Sequence, residues 1–147
     1  MARLLDIATR AASRAPMEHH ESIAVTVAAG LDGDFRGREP DRNVVVLSRE
    51  GWEAACSALG EEHPWATRRA NLFVEGVSLA ETTGARLHVG EIILEITGEC
   101  GPCERMEEAH AGLREVLTPK WRAGVQCRVI AAGTLQLGDA VRLEPAD

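Results

Sequence analysis

The chain contains no tyrosine and only two phenylalanines and three tryptophans in 147 residues. Single-stranded nucleic acid is gripped by stacking bases on aromatic faces, so this scarcity excludes a stacking platform. Positive charge is also short: 16 Lys and Arg against 23 Asp and Glu leave a net charge of −7. Such a surface repels phosphate backbones and anionic lipid; neither nucleic acid nor membrane is expected as a partner. No apolar run approaches the roughly 18 residues that cross a bilayer, and the start has no continuous apolar stretch of the secretory kind. Cysteine is sparse, with Cys56, Cys100, Cys103 and Cys127 alone, too few for a disulfide scaffold. The expectation is a single cytoplasmic domain over residues 1–147 whose thiols are free for chemistry.

What is present is short alternation. Apolar residues recur with period two over Leu4 to Thr9, Ser22 to Ala28, Asn43 to Leu47, Ala70 to Val74 and Val125 to Ala131, the signature of half-buried strands. Leu4, Leu5, Ala8 and Ala11 also suit one face of a helix. Leu87 to Glu95 and Leu135 to Leu143 share a frame, alternation interrupted by Gly90-Glu91 and by Gly138-Asp139. Gly-X in that place suits a two-residue type II′ hairpin or a tight corner between strands. Two helices are marked. Ser48 caps one that runs to about Leu59, with Trp52, Ala55 and Leu59 on its stripe. Another follows Pro102, with Met106, Ala109, Leu113 and Val116 or Leu117 inward, and ends at Thr118-Pro119.

Short strands with frequent turns and two helices do not alternate as βαβ units. The predicted fold is mainly β, a closed or half-closed β-barrel with two or more covering helices. Its expected core is Ile23, Val25, Val27, Val44, Val46, Leu72, Val74, Leu87, Val89, Ile92, Leu94, Ile96, Val129 and Leu137.

The richest chemistry lies in Gly98-Glu99-Cys100-Gly101-Pro102-Cys103. Pro102 is placed to open a helix, and thiols there sit beside unpaired backbone N–H groups at the positive end of its dipole, which favours thiolate. Glu104, Glu107 and Glu108 crowd the same turns and oppose that effect. The four residues Cys-Gly-Pro-Cys match the thioredoxin signature, but 99 residues precede Cys100 and 44 follow Cys103, where a thioredoxin fold needs its pair near the front.

Taken in order, Gly30-Leu31-Asp32-Gly33-Asp34, then Arg68 to Gly76, then Gly84 to Ile96 leading into Cys100 and Cys103, then a helix and a closing Gly138-Asp139 hairpin, resemble a stand-alone MOSC domain. The resemblance covers about residues 3 to 145. It implies a barrel-like fold with a cysteine at the mouth of a cleft, which either carries sulfur as a persulfide or ligates molybdenum of a pterin cofactor. Cys103 matches that position and is the expected nucleophile or metal ligand. Cys100 is its expected partner, able to resolve a persulfide as a disulfide. Phe35 departs from the polar or basic residue that many relatives place after Gly-Asp.

Further candidates surround this pair. Arg68 and Arg69, with Asn71 beyond them, suit bidentate binding of a phosphate or carboxylate, such as the phosphate of a molybdenum-pterin cofactor. Adjacent residues on a strand face opposite ways, so at most one Arg would face a given cleft. Asp34 either orders a loop near the cysteine or caps its own turn. Lys120, Arg122 and Arg128 around Trp121 form a second basic set, read as structural. Cys100, Cys103, His110 and Cys127 lack the paired couplets of structural zinc, and no zinc is expected.

The activity implied is sulfur transfer or molybdenum-dependent redox chemistry, with a sulfur donor or a molybdoenzyme acceptor as partner. Two other classes remain open: a non-catalytic binding or delivery module, and a dithiol oxidoreductase using Cys100 and Cys103.

Overall fold

The computed structural model describes residues 1–147. Eleven strands form: β1 (Arg3–Thr9), β2 (Glu18–His19), β3 (Ser22–Thr26), β4 (Gly30–Leu31), β5 (Val44–Ser48), β6 (Leu72–Glu75), β7 (Arg86–Val89), β8 (Ile92–Glu99), β9 (Val125–Ala131), β10 (Gly133–Gln136) and β11 (Val141–Glu144). The helices are α1 (Arg49–Leu59), α2 (Glu104–Ala109) and α3 (Leu113–Leu117), with tight helical turns at Trp65–Arg68 and Pro119–Trp121. The five strands anticipated from alternation all form, including β1, where a helix was the rival.

Eight strands join one mixed sheet in the order β11-β7-β8-β9-β5-β6-β1-β2, and β10-β3-β4 make a second. Only β5 and β6 run parallel, with α1 and the Trp65 turn between them. A closed barrel does not form. The first strand meets the segment before β11 through one bridge, Arg3 to Ala140, and a few backbone bonds such as Leu4 N–H to Asp139 C=O at 2.8 Å. Beyond that contact no ladder continues: β1 is paired along its length to β6 and β2, and β11 to β7, so the two ends of the sheet meet at a short bridge rather than along full strands.

Gly90-Glu91 makes the expected two-residue hairpin between β7 and β8. Gly90 takes φ +53 and Glu91 keeps a negative φ, the pattern of a type II′ turn, whose first position favours glycine. Gly138-Asp139 does not make a hairpin. It is a corner, because β10 belongs to the small sheet and β11 to the large one.

Two apolar clusters hold the layers. The larger lies between the sheets and contains Ile23, Val25, Leu72, Leu87, Ile92, Leu94 and Ile96; the smaller joins Val45 and Leu47 to Trp52, Ala55, Met106, Leu113 and Leu117 of the helices. Twelve of the fourteen anticipated core residues are buried. Val27, at 54% exposure, and Leu137, at 43%, are not. Each stands one residue past the end of its strand, where the turn carries it out of the alternation.

α1 begins as expected: Ser48 Oγ accepts the Gly51 N–H at 3.0 Å. The expected second helix is broken in two. His110 is extended (φ −160°, ψ 129°) and Gly112 takes φ +89, a conformation that an L side chain rarely adopts. The break ends the stripe early, so Ala109 is exposed while Met106 and Leu113 stay buried.

Candidate functional site

Cys103 occupies the N-cap of α2 with extended backbone (φ −117°, ψ 179°), and its carbonyl accepts the Met106 N–H at 2.9 Å. It is exposed, whereas Cys56, Cys100 and Cys127 are buried. Glu104, Glu107 and Glu108 are all exposed on α2, and none lines the cleft beside Cys103.

That cleft is dominated by positive charge. Arg10, Arg36, Arg42, Arg68, Arg69 and Arg105 line it together with Cys103, and Asp34 is its one carboxylate. Six guanidiniums against one acid give a formal local charge of +5 in a chain whose net charge is −7. Four of the six, Arg10, Arg36, Arg42 and Arg69, hold a buried Nε that makes no hydrogen bond to the protein. Burial lowers the pKa of Arg10 below the usual guanidinium value; Arg69 adds to this, Asp34 opposes it, and Arg36 and Arg105 push it down further. Arg69 is lowered in the same way, by burial first and then by Arg105 and Arg14. Both shifts arise chiefly from burial, with neighbouring guanidiniums adding to it; Arg36 also pairs with Glu39 at 2.7 Å.

The other anticipated residues brace this cleft. Arg68 is 6% exposed and donates through Nε to the Ala123 carbonyl at 2.8 Å and through Nη2 to the Cys100 carbonyl at 2.8 Å. Asn71 accepts the Val45 N–H at 2.9 Å on Oδ1 and donates through Nδ2 to the Ala8 carbonyl at 3.2 Å, locking β1 to β5. Asp34 accepts the Arg10 N–H at 3.1 Å, a tie across 24 residues rather than a cap on its own turn. Arg69 adopts φ +64 and donates to the Ala15 carbonyl. Adjacent Arg68 and Arg69 both reach the cleft because they end a helical turn instead of lying on a strand. Phe35 points outward at 47% exposure.

Arg10, Arg36, Arg42 and Arg105 were not anticipated. They come from the end of β1, the loop before β5 and the first turn of α2. A countable signal existed only for the loop, where Arg36, Arg38 and Arg42 fall within seven residues.

The second basic set does not assemble. Lys120 and Arg122 line a groove of about 740 Å³ with Trp121, Glu50 and Glu81, while Arg128 lies away on β9, paired with Glu95. This groove is larger than the arginine cleft but contains no thiol and balances its charges. Cys100, Cys103, His110 and Cys127 do not form a ligand cluster either; the metal-competent grouping is Glu61, His63 and His110. Burial pushes the Cys127 thiol far above its ordinary range, with Cys100 adding to the shift. No helix is long and apolar enough to cross a membrane.

The architecture has close counterparts. The YuaD protein from Bacillus subtilis superposes with a TM-score of 0.82 at 17% identity, over 100% of this chain and 98% of that one. YiiM from Geobacillus stearothermophilus gives 0.76 at 13% identity, over 97% and 75% of the respective chains. YiiM from Escherichia coli gives 0.71 at 18%, over 96% and 69%. At such identities the likeness is one of fold. No curated protein matches the chain. A family model for the MOSC domain matches residues 32–142, from the loop that carries Asp34, through Cys103, into β11. The chain therefore belongs to the MOSC domain family.

Proposed function

We propose that this MOSC protein binds a molybdenum-pterin cofactor, with the arginine cleft taking its phosphate and Cys103 serving as a thiolate ligand to the metal. The observation that carries this reading is the set of four buried guanidinium Nε groups without partners beside an exposed cysteine. Each buried donor left unmade costs on the order of 1–3 kcal/mol. Four of them weigh heavily against a total stability of about 5–15 kcal/mol. An anion with several acceptor oxygens offsets that cost, and guanidinium forks match phosphate geometry.

Size limits what enters. The cleft is about 80 Å³, well below the roughly 300 Å³ at which pockets begin to enclose a whole organic ligand. The residues therefore fit the anionic end of the cofactor, and Cys103 is the exposed thiol on the same cleft. When bound, the cofactor supplies redox chemistry at molybdenum. The chain's own part is to neutralise and orient the phosphate through Arg10, Arg36, Arg42 and Arg69, and to offer sulfur from Cys103, a soft donor suited to such a metal.

A second reading is supported by one fact: Cys103 is the single exposed thiol. An accessible lone thiol suits persulfide carriage from a sulfur donor to a molybdoenzyme acceptor. Cys100 is buried, so the pair is not presented together to solvent as a dithiol catalyst would need.

The deciding measurement is metal and pterin analysis of the full chain purified from a molybdenum-replete host. The cofactor reading expects near-stoichiometric molybdenum and pterin, with metal lost in Cys103→Ala and pterin lost in an Arg36→Ala, Arg42→Ala double variant. Wild-type protein free of both, together with a one-sulfur mass increase on Cys103 after exposure to a persulfide donor, would replace it with sulfur carriage.

A further inference from the structure

We propose that Glu61, His63 and His110 bind a divalent transition metal of the zinc class, which clips the exit of α1 to the joint between α2 and α3. The three side chains converge from two segments far apart in sequence. Glu61 Oε2 lies 2.9 Å from His110 Nε2 and 3.4 Å from His63 Nε2, and the three donor atoms lie within 4.8 Å of one another. Ligands held 2.0–2.2 Å from a tetrahedral zinc are roughly 3.3 Å apart, so both measured contacts are close to an edge of that tetrahedron.

Ordinary ion pairing accounts for these contacts less well. His63 Nε2 is buried and has no hydrogen-bond partner. The two imidazole rings are 4.6 Å apart between centroids, so protonating both to pair with one carboxylate sets two cations against each other. A shared metal ion accepts both ring lone pairs and the carboxylate at once. Imidazole and carboxylate together suit zinc and its neighbours in the first transition row.

The backbone holds all three donors in place. The Glu61 N–H donates to the Cys56 carbonyl at 3.2 Å, and the His110 N–H to the Met106 carbonyl at 3.1 Å. Trp52 Nε1–H donates to the His63 carbonyl at 2.9 Å. The helix break brings His110 into range: a Cβ at Gly112 would stand 3.2 Å from Leu59 Cδ1, so the α2–α3 joint packs directly on the end of α1. Three protein donors leave a fourth position for water, and the ion fixes the end of α2 opposite Cys103.

The test is titration of the full chain with Zn²⁺ alone by calorimetry, and with Co²⁺ alone by visible absorption, with Cys103→Ala as the common background so that the exposed thiol does not compete. One ion per chain is expected, with four-coordinate Co²⁺ bands and an unfolding midpoint raised by Zn²⁺. His110→Ala should weaken Zn²⁺ binding at least tenfold. Glu61→Gln, at an exposed position that folding tolerates, should do the same. Absence of a one-to-one site in the Cys103→Ala protein, or unchanged affinity in both ligand variants, overturns the proposal. The cofactor reading stands or falls separately, since it depends on Cys103 and the arginine cleft.

Discussion

Arg68 grips the buried Cys100 at two points from one nitrogen. Its Nη2–H donates to the Cys100 carbonyl at 2.8 Å and lies 3.3 Å from Cys100 Sγ. Its Nε–H holds the Ala123 carbonyl at 2.8 Å. The guanidinium thus ties the end of the Trp65 turn to the chain entering α2 and to the chain entering β9.

Arg68→Met should therefore destabilise the fold by about 2–4 kcal/mol, because it strands two buried carbonyls and disturbs the packing around them. Arg68→Lys should recover only part of the loss, since an ammonium cannot span both acceptors as a planar fork does. Urea midpoints read both. A cost below about 0.5 kcal/mol for the Met variant, the range of ordinary surface changes, would mean that the bracket is dispensable.

Asn71 offers a sharper comparison. Asn71→Asp keeps the oxygen that accepts from Val45 N–H and exchanges the donor to Ala8 C=O for a second acceptor. Two acceptors then face each other in a buried place. The expected loss is about 2–4 kcal/mol at neutral pH, larger than for Asn71→Ser. Equal losses for the two variants would show that the Ala8 contact contributes little.

Thiol reactivity should be sharply divided. Cys103 is exposed, whereas Cys56, Cys100 and Cys127 are 7%, 4% and 0% exposed. One fast equivalent per chain is expected with an aromatic disulfide reagent under native conditions, and four after denaturation. Cys103→Ala should abolish the fast phase; a surviving fast phase would place the reactive sulfur elsewhere.

The arginine cleft should bind simple oxyanions even without a cofactor. Pyrophosphate is expected to raise the unfolding midpoint of wild type, with an effect that shrinks as salt screens the charges. The Arg36→Ala, Arg42→Ala double variant should lose most of the shift. An equal shift in both proteins would locate the anion outside the cleft.

Acid should weaken one surface cluster in a defined direction. The hydrogen bond from Arg3 holds the Glu75 carboxyl below its ordinary value, and Arg49 assists. A lowered carboxylate pKa contributes stability above the unfolded value, near pH 4.3, and loses it as pH falls through the folded value. The gap between wild type and Glu75→Gln in urea midpoint should be present at pH 7, close as pH drops below about 4, and shrink in high salt. A gap that widens in acid would contradict the assignment.

Local patterns carried the strands and α1. Ser48, Trp52 and Ala55 needed only a cap and a helical stripe, and Ile92, Leu94 and Ile96 needed only alternation, because both depend on neighbours a few residues away. The same logic failed where the chain leaves a regular element: Val27 and Leu137 continue the alternation in letters but not in backbone. His110 and Gly112 break a stripe that looks unbroken as text.

The position of Cys103 at a helix start was legible because Pro102 and the following stripe are contiguous with it. The charge around it was not. Arg10, Arg36, Arg69 and Arg105 meet only when β1, the loop before β5, the Trp65 turn and α2 are brought to one place, and no spacing along the chain encodes that meeting. Glu61, His63 and His110 illustrate the same limit, since their approach depends on α1 packing against the α2–α3 joint. Short-range order along the chain fixed most strands, α1, the place of Cys103 at a helix start and the family resemblance. Tertiary packing alone decided that a chain of net negative charge gathers six arginines beside that sulfur, because long-range contacts concentrate charge that composition averages away.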